Sequence, residues 1–317
     1  MKLTKLGAYK KKRVGIGLER GIQKLELRRF RKEEQARKGE LKAARARAWM
    51  EKLLIRVFSG VLYTVFVVGC IFLDKTSTAF AIACMAWLCC SEFFRIVKLA
   101  DYQPCDVLGL FAAILFPIAS LENSYLLLMI IAIVYGMVLA LWYLLNPRAG
   151  IADVCLSFFG PVYTSLLFSH IVLIRCVTAC ENPALLTFAV MGSVWLGDVG
   201  AYFIGCMFGK HRLCPTISPN KSVEGFFGGL VATYIVWILM YALQLIPISL
   251  AYASLCALVV GILSVVGDLF ESRLKRAVNI KDSGAIMPGH GGLLDRSDSM
   301  LFGCTTAYIL LLLGGLI

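Results

Sequence analysis

Residues 249–272 have the sequence SLAYASLCALVVGILSVVGDLFES, and this stretch decides the fold class. Its first 19 residues, 249–267, carry no charged side chain. A helix of about 20 apolar residues is long enough to cross the hydrocarbon core of a bilayer, which is roughly 30 Å thick. The stretch therefore predicts a transmembrane helix that brings Asp268 to a membrane boundary.

Eight further apolar segments of similar character occur along the chain. They are residues 53–73, 77–97, 105–121, 125–145, 151–174, 184–206, 223–246 and 299–317. Of the 317 residues, 59% are hydrophobic and 16% charged, against roughly 45–50% and about 25% in soluble domains. We therefore expect an all-α polytopic integral membrane protein with about nine transmembrane helices, and we exclude a water-soluble globular enzyme.

The positive charge of the chain lies at its N-terminus. The formal net charge is +12, and residues 1–56 hold 19 Lys and Arg against 6 Asp and Glu. Basic residues placed before a first span favour a membrane surface over nucleic acid as the partner. We divide the chain into a basic cytoplasmic tail, 1–52, and a membrane-embedded domain, 53–317. Whether the tail also binds anionic lipid or a partner stays open.

With nine spans and a cytoplasmic N-terminus, the basic residues between spans fall almost entirely on one side. The cytoplasmic loops would carry Arg95, Lys98, Arg148, Lys210, Arg212, Lys221, Arg273, Lys275, Arg276, Lys281 and Arg296. The opposite loops would carry only Lys75 and Arg175. This asymmetry follows the positive-inside rule and places the long loops 207–222 and 273–298 in the cytoplasm. We expect a protein of the cell inner membrane or its equivalent, with a cytoplasmic active site.

The most polar part of the domain is residues 267–299, GDLFESRLKRAVNIKDSGAIMPGHGGLLDRSDS. Asp268 and Ser272 would share one face of a continued helix, because side chains four residues apart are neighbours. Lys275 or Arg276 would extend this face by one turn. The face therefore offers an anion, a hydroxyl and cations in a column.

The same segment continues with Lys281 and Asp282, a glycine-rich turn around His290, and then two further acids. Asp295 and Asp298 are three residues apart. Carboxylates gathered among Lys and Arg in water-accessible space favour a hard cation such as magnesium beside phosphate. A charge-balanced juxtamembrane loop would explain the basic residues but not the acids, the glycines and the histidine.

A second polar segment is residues 195–229, WLGDVGAYFIGCMFGKHRLCPTISPNKSVEGFFGG. Asp198 lies in the middle of a predicted span, where an ionisable side chain is costly and usually has a partner or a role. The loop that follows offers hydroxyls, an amide, a lysine and glycines at the start of a helix, which suit a phosphate or triphosphate. The alternative is an ordinary cytoplasmic loop whose helix is capped by Ser222.

Other polar residues have simpler interpretations. Glu92 lies three residues before Arg95, which favours an interfacial ion pair. His170 lies in an apolar run without an acidic neighbour and is interpreted as a packed residue. Cys176 and Cys180 lie in a short polar loop, and whether they pair stays open.

The residues from Ser272 to Asp298 closely resemble the signature of the phosphatidate cytidylyltransferases, also called CDP-diacylglycerol synthases. The matching positions are Ser272, Lys275, Arg276, Lys281, Asp282, Gly284, Pro288, His290, Gly291, Gly292, Asp295, Arg296 and Asp298. Asp198 and the segment 218–225 are also similar to that family, and the resemblance is sharp from about residue 195. Ser297 departs from the pattern, since the family has an aliphatic residue or Thr there.

The resemblance implies a reaction of CTP with phosphatidate that gives CDP-diacylglycerol and pyrophosphate and requires Mg²⁺. It implies that Asp268 and Asp295 are the metal carboxylates. It assigns catalytic roles to Lys275, Arg276, Lys281, Asp282, His290 and Asp298. It assigns substrate binding to Ser218, Asn220, Lys221, Glu224, Ser272, Gly291, Gly292 and Arg296. The catalytic part would extend over about residues 195–299.

Three alternatives remain beside this interpretation. A CTP-dependent lipid or polyprenol kinase would transfer the γ-phosphoryl group and release CDP. A transporter would use the intramembrane acids Asp198 and Asp268 as an ion pathway. An inactive homologue would have lost ligands, whereas here the candidate ligands are intact. The expected partners are CTP, phosphatidate and the lipid bilayer, without nucleic acid. A second cation and a homodimer stay open.

Overall fold

The computed structural model describes residues 50, 54–55, 57–284, 286 and 291–316. The predicted tail, apart from Met50, lies outside the described residues, and so does His290. The chain divides into two units, 1–58 and 59–317. All elements below belong to the second unit, apart from the first two residues of the first helix.

The second unit consists of helices joined by short connections. The helices are α1 Val57–Leu73, α2 Lys75–Leu99, α3 Asp106–Ala119, α4 Tyr125–Leu145, α5 Ile151–Pro161, α6 Leu167–Arg175, α7 Pro183–Phe208, α8 Val223–Ala242, α9 Leu250–Ala277 and α10 Leu294–Leu313. A 3₁₀ turn, Ser120–Glu122, follows α3, and a π-helical turn, Val162–Leu166, joins α5 to α6. The π turn begins directly after Pro161, which has no N–H to donate to the helix.

Among the residues that the structure describes, six helical segments are long and apolar enough to cross a membrane. They are Lys75–Leu99, Tyr125–Leu145, Ile151–Arg175, Pro183–Phe208, Val223–Ala242 and Leu250–Ala277. The predicted fold class, an all-α polytopic membrane protein, is thereby confirmed. Within the described residues each of the nine predicted apolar segments contains a helix, although α3 has only 14 residues. The number of spans and a cytoplasmic N-terminus stay predictions.

The breaks between helices follow from polar capping residues. The Asp74 carboxylate accepts a hydrogen bond from Ser77 N at 2.7 Å and so starts α2 directly after α1. Ser222 does the same for α8, accepting from Gly225 N at 3.1 Å. Ser249 starts α9. Each cap satisfies a backbone N–H that has no partner inside its own helix.

In the described part of the domain, the strands lie in the predicted loop 207–222. Strands β1 Arg212–Cys214 and β2 Ser218–Ser222 pair antiparallel, with Arg212 opposite Ser222 and Cys214 opposite Ser218. This hairpin, residues 210–222, lies between α7 and α8 in the chain. It holds the loop residues in an extended conformation.

Glycines bring the helices around the polar loops close together. A Cβ on Gly200 of α7 would lie 2.9 Å from the carbonyl oxygen of Gly228 in α8. A Cβ on Gly267 of α9 would lie 2.6 Å from the carbonyl oxygen of Asp298 in α10. Small residues allow such backbone approach in membrane helices. The four helices α7–α10 therefore pack around the two polar segments that the sequence singled out.

An aromatic cluster connects these helices to the N-terminal half of the domain. The ring centroids of Phe93 in α2 and Phe159 in α5 are 5.8 Å apart. Tyr163, in the π turn, lies 5.2 Å from Phe270 of α9, and Phe270 lies 6.1 Å from Phe302 of α10. Such contacts add about 0.5–1.5 kcal/mol each to the area they bury. The cluster fixes α2 against the helices that carry the polar loops.

Two side interpretations can now be judged. His170 is buried, and its ring lies 5.2 Å from Tyr308 and 6.0 Å from Tyr125, so its interpretation as a packed residue is confirmed. Cys176 and Cys180 are both free thiols. The Cys180 thiol lies 3.1 Å from the carbonyl oxygen of Leu245.

Candidate active site

An ion pair joins the two polar segments. Lys221 Nζ, at the end of β2, lies 2.5 Å from Asp268 Oδ2 in α9. Both side chains are partly exposed, at 24% and 29%. The cap at Ser222 starts α8 one residue later, so the position of Lys221 is set by both the hairpin and the helix. Residues 47 positions apart in the sequence thus form one polar centre.

The predicted column on α9 forms only in part. Helix α9 continues to Ala277, and Ser272 Oγ donates to Asp268 Oδ1 at 3.3 Å, as the four-residue spacing predicts. Arg276, at the end of the helix, donates to the carbonyl oxygens of Ile280 at 3.1 Å and Ile217 at 3.5 Å. Arg276 therefore links the end of α9 to the turn of the hairpin.

Lys275 belongs to a separate and buried cluster. Its ammonium contacts the Glu271 carboxylate one turn earlier and lies 2.6 Å from Asp295 Oδ1 of α10. The Glu271 side chain is fully buried, and those of Lys275 and Asp295 are 10% and 7% exposed. We call Glu271, Lys275 and Asp295 the buried cluster. It connects α9 to the start of α10.

Asp295 also holds the loop before α10. Its carboxylate accepts hydrogen bonds from Ser283 N at 2.9 Å and Gly292 N at 2.8 Å. Asp295 precedes the predicted start of the last span at residue 299. Burial acts to raise the pKa of Asp295, but the Lys275 ammonium and the Gly292 N–H outweigh it and lower that pKa below its usual value. The carboxylate is therefore held in its charged form.

Ser299 donates hydrogen bonds to two further acids, Asp198 and Asp298. Ser299 Oγ of α10 donates to Asp198 Oδ1 of α7 at 3.2 Å, and Ser299 N donates to Asp298 Oδ1 at 2.8 Å. Asp298 is buried. The intramembrane acid that the sequence singled out on α7 thus meets the end of the long polar segment.

Glu224 anchors the hairpin. Its carboxylate accepts hydrogen bonds from Lys210 N at 3.1 Å, from His211 N at 3.2 Å and from the His211 ring Nδ1 at 2.6 Å. These contacts tie the start of the hairpin to the first turn of α8. Ser218 and Asn220 lie on β2, beside Lys221, and Asn220 is exposed. Substrate binding by Ser218, Asn220, Lys221 and Glu224 stays a prediction.

The remaining predicted residues border the loop between α9 and α10. Lys281, Asp282 and Arg296 are exposed. Gly291 has a φ of 90°, a conformation that favours glycine, and Gly292 is buried. The exposed charges leave this edge of the site accessible to an anionic substrate.

The acids of the site suit a metal only in combination with a substrate. Within the part of the chain that the structure describes, no three or more His, Cys, Asp or Glu side chains form a group that could hold an ion. Mg²⁺ commonly uses one or two carboxylates together with water and phosphate oxygens. Asp268 fits this use, because it is partly exposed and contacts two flexible side chains. Asp295 is held by Lys275 and two backbone N–H groups.

The sequence analysis missed the contacts of two acidic residues near the site. Glu271 was not singled out, although its spacing of four residues from Lys275 was the available signal. Glu92 was interpreted as the partner of Arg95, and this was wrong. The Glu92 carboxylate accepts hydrogen bonds from Leu293 N, Leu294 N and Ser283 Oγ instead, and Arg95 donates to the carbonyl oxygen of Ser283.

Known proteins are similar to this sequence over most of its length. The sequence profile of the cytidylyltransferase family matches residues 54–313. A phosphatidate cytidylyltransferase of Bacillus subtilis is 33% identical over 264 residues, which cover 81% of this chain and 97% of the relative. One of Staphylococcus haemolyticus is 47% identical over 119 residues, covering 38% of this chain and 46% of the relative.

The matched region includes every described element from α2 to α10 and all of the polar contacts described above. The predicted resemblance is confirmed by both the family profile and the nearly full-length relative. The chain belongs to the cytidylyltransferase family.

Proposed function

We propose that this integral membrane enzyme transfers CMP from CTP to phosphatidate, which gives CDP-diacylglycerol and pyrophosphate. The observation that carries the proposal is the 2.5 Å pair of Lys221 and Asp268, which brings a basic hairpin and an acidic helix end together. A nucleotidyl transfer needs this combination, because crowded phosphate oxygens must be neutralised and aligned. The relatives named as phosphatidate cytidylyltransferases support the choice of substrates.

The reaction needs little covalent chemistry from the protein. A phosphate oxygen of phosphatidate attacks the α-phosphorus of CTP, the bond from that phosphorus to the bridging oxygen of the β-phosphate breaks, and pyrophosphate leaves. The attacking phosphate is already anionic, so no side chain has to remove a proton. Catalysis then consists of in-line positioning and charge stabilisation.

The contacts divide the basic residues into two groups. Lys221, Arg276 and Lys281 are partly or fully exposed, and we assign phosphate binding to them. Lys275 is enclosed by Glu271 and Asp295, and we assign it the role of holding α9 against α10. The two groups are connected through α9, where Asp268, the partner of Lys221, and Glu271, the partner of Lys275, lie one turn apart. A nucleotide bound by the first group would therefore lie beside the frame built by the second.

A magnesium ion fits this arrangement beside Asp268. When bound, it would neutralise charge on the phosphate oxygens. Asp268 would hold it, and Lys221, released from its pair with Asp268, would contact the triphosphate. Asp295 was implied as a second metal ligand, and this stays a proposal. This pair is partly exposed, whereas the cluster around Lys275 is buried, so it can open for a ligand more easily than that cluster.

The second substrate, phosphatidate, is a lipid and would reach the site from the bilayer. Asp268 follows the 19 uncharged residues 249–267, which places it near a predicted membrane boundary. The headgroup of phosphatidate could reach it there while the acyl chains stay in the bilayer. We place the site and the N-terminus on the cytoplasmic side. The bias of basic residues toward the loops that carry the site supports this orientation.

Two labelled forms of CTP test the proposal. Purified protein in detergent with phosphatidate and Mg²⁺ should move label from the α-phosphate of CTP into lipid and release unlabelled pyrophosphate. Label on the γ-phosphate should leave with the pyrophosphate. A CTP-dependent kinase would give the reverse result, with γ-label in the lipid and CDP released. The variant Asp268→Asn is the matched inactive control.

A further inference from the structure

A buried carboxylate in the N-terminal half of the domain reaches the catalytic loop. Glu92 of α2 is 3% exposed. It accepts hydrogen bonds from Leu294 N at 2.8 Å, from Leu293 N at 3.1 Å and from Ser283 Oγ at 3.0 Å. Its partners therefore lie about 190–200 residues away in the sequence, on the two sides of the loop between α9 and α10.

These contacts cap α10 from another helix. The first N–H groups of a helix have no partner within it, and an anion at this end is favourable. Leu293, the residue that precedes α10, has no side chain that can cap it. Glu92 supplies the missing acceptors, and the donors in turn compensate the cost of burying its charge.

The same loop is held from its other side by Asp295. Ser283 donates its N–H to Asp295 and its hydroxyl to Glu92, and Arg95 donates to its carbonyl oxygen. Gly292 donates to Asp295, and a Cβ on Gly292 would lie only 2.5 Å from Glu92 Oε2. Both ends of the loop therefore donate hydrogen bonds to two carboxylates, that of Glu92 from α2 and that of Asp295 from α10.

We propose that Glu92 is a positioning residue for the transfer reaction. It fixes Ser283 and the start of α10, so that Lys281 and Asp282 on one side and Asp295 on the other keep their places in the site. The glycines at 284 and 292 leave room for its carboxylate. The catalytic effect of Glu92 rests on the proposed function. The hydrogen bonds by which Glu92 holds the loop can be tested without measuring turnover.

The test compares Glu92→Gln with Glu122→Gln, an exposed glutamate in the 3₁₀ turn. An amide at position 92 has one acceptor oxygen and turns its NH₂ group toward the loop donors. The first measurement is the rate of tryptic cleavage after the exposed Lys281. We expect it to rise about tenfold in Glu92→Gln, because leaving buried donors unpaired increases the open population. Glu122→Gln should be cleaved at the wild-type rate.

The second measurement is the KM for CTP. A smaller folded fraction would lower the apparent kcat and leave KM unchanged, whereas a displaced loop raises KM. We expect KM to rise several-fold in Glu92→Gln and to stay at the wild-type value in Glu122→Gln. Ser283→Ala removes one of the three contacts and should shift both quantities less, in the same direction.

A wild-type value of either quantity in Glu92→Gln contradicts the proposal. If Glu92→Gln does not fold, Ser283→Ala decides it by the same two criteria. If the wild-type protein transfers no CMP, the proposed function fails, and the tryptic rates still decide whether Glu92 holds the loop.

Discussion

The two acid–base clusters of this protein share chemistry but differ in exposure. Lys221 and Asp268 form a single pair whose side chains are 24% and 29% exposed. The buried cluster of Glu271, Lys275 and Asp295 has side chains that are 0–10% exposed, and it receives further hydrogen bonds from the loop backbone. Each cluster includes a residue of α9, and one turn of helix separates Asp268 from Glu271.

We propose that this difference in exposure separates residues that bind substrate from residues that hold α9 against α10. The side chains of the partly exposed pair keep contact with water, so a phosphate or a cation can replace either member at a lower cost than in the buried cluster. Removing one member of a buried cluster costs about 3–5 kcal/mol, because the remaining charges lose their compensation. The exposed pair is thus suited to exchange partners in each turnover, and the buried cluster is suited to remain unchanged.

The same substitution in both clusters tests this division. Lys275→Met should have the largest effect, since Glu271 and Asp295 would lose their shared cation. We expect a loss of stability of about 3–5 kcal/mol together with a loss of activity. The unfolding midpoint in detergent and the turnover rate measure the two effects. An unchanged midpoint would show that the cluster does not hold α9 against α10.

Lys221→Met should reduce activity without reducing stability. We expect turnover to fall by about 10²–10³, as for loss of a group that stabilises transition-state charge. The midpoint should change much less than in Lys275→Met, because Lys221 and Asp268 are partly exposed, whereas Glu271 and Asp295 are buried. Asp268→Asn should behave in the same way, because an amide cannot supply an anionic ligand. Near-normal activity of Asp268→Asn at limiting Mg²⁺ would contradict the assignment of Asp268 as a metal ligand.

A smaller effect is expected where the hairpin is anchored. Glu224→Ala removes the acceptors for Lys210 N, His211 N and the His211 ring. Each lost hydrogen bond contributes about 0.5–1.5 kcal/mol, so Lys221 should be less well positioned and kcat/KM should fall about tenfold. His211→Asn keeps both backbone contacts and serves as the milder control. Faster amide exchange at residues 210–214 in Glu224→Ala alone would locate the change in the hairpin.

The basic tail gives the smallest expected effect. Deleting residues 2–44 should leave the specific activity in detergent nearly unchanged, since the tail contains no candidate ligand and Lys52 and Arg56 still orient the first span. In anionic-lipid vesicles each lost Lys or Arg near the surface removes about 1 kcal/mol of attraction. Lipid stimulation should therefore weaken, and the difference should shrink as ionic strength rises. A large salt-independent loss in detergent would instead place the tail among the catalytic loops.

Local patterns predicted the helices and part of the site. The uncharged run before Asp268 predicted α9. The spacing of four residues between Asp268 and Ser272 predicted the contact between their side chains. The hairpin was not foreseen, because two short strands in a polar loop leave little periodic signal. The role of Glu92 could not be predicted at all. Its nearest basic residue in sequence suggested an ion pair, whereas its partners are backbone groups about 200 residues away.

The distinction between the two lysines was also invisible to the sequence. Lys221 and Lys275 both lie in polar, basic segments, and both were predicted to contact substrate. The packing of α10 against α9 encloses Lys275, whereas Lys221, on the hairpin, stays partly exposed. Burial is a property of the tertiary structure, so residues of the same type near one site can have different roles.

The most direct test of the account is the stabilisation of the protein by CTP in the absence of phosphatidate. A ligand that binds the folded state raises the unfolding midpoint, and the rise increases with the logarithm of its concentration relative to its Kd. With Mg²⁺ present, CTP should raise the midpoint of the wild-type protein. In Lys221→Met the ligand-free midpoint should stay the same while the rise is lost. An equal rise in the variant and the wild type would contradict the assignment of the exposed pair to the nucleotide site.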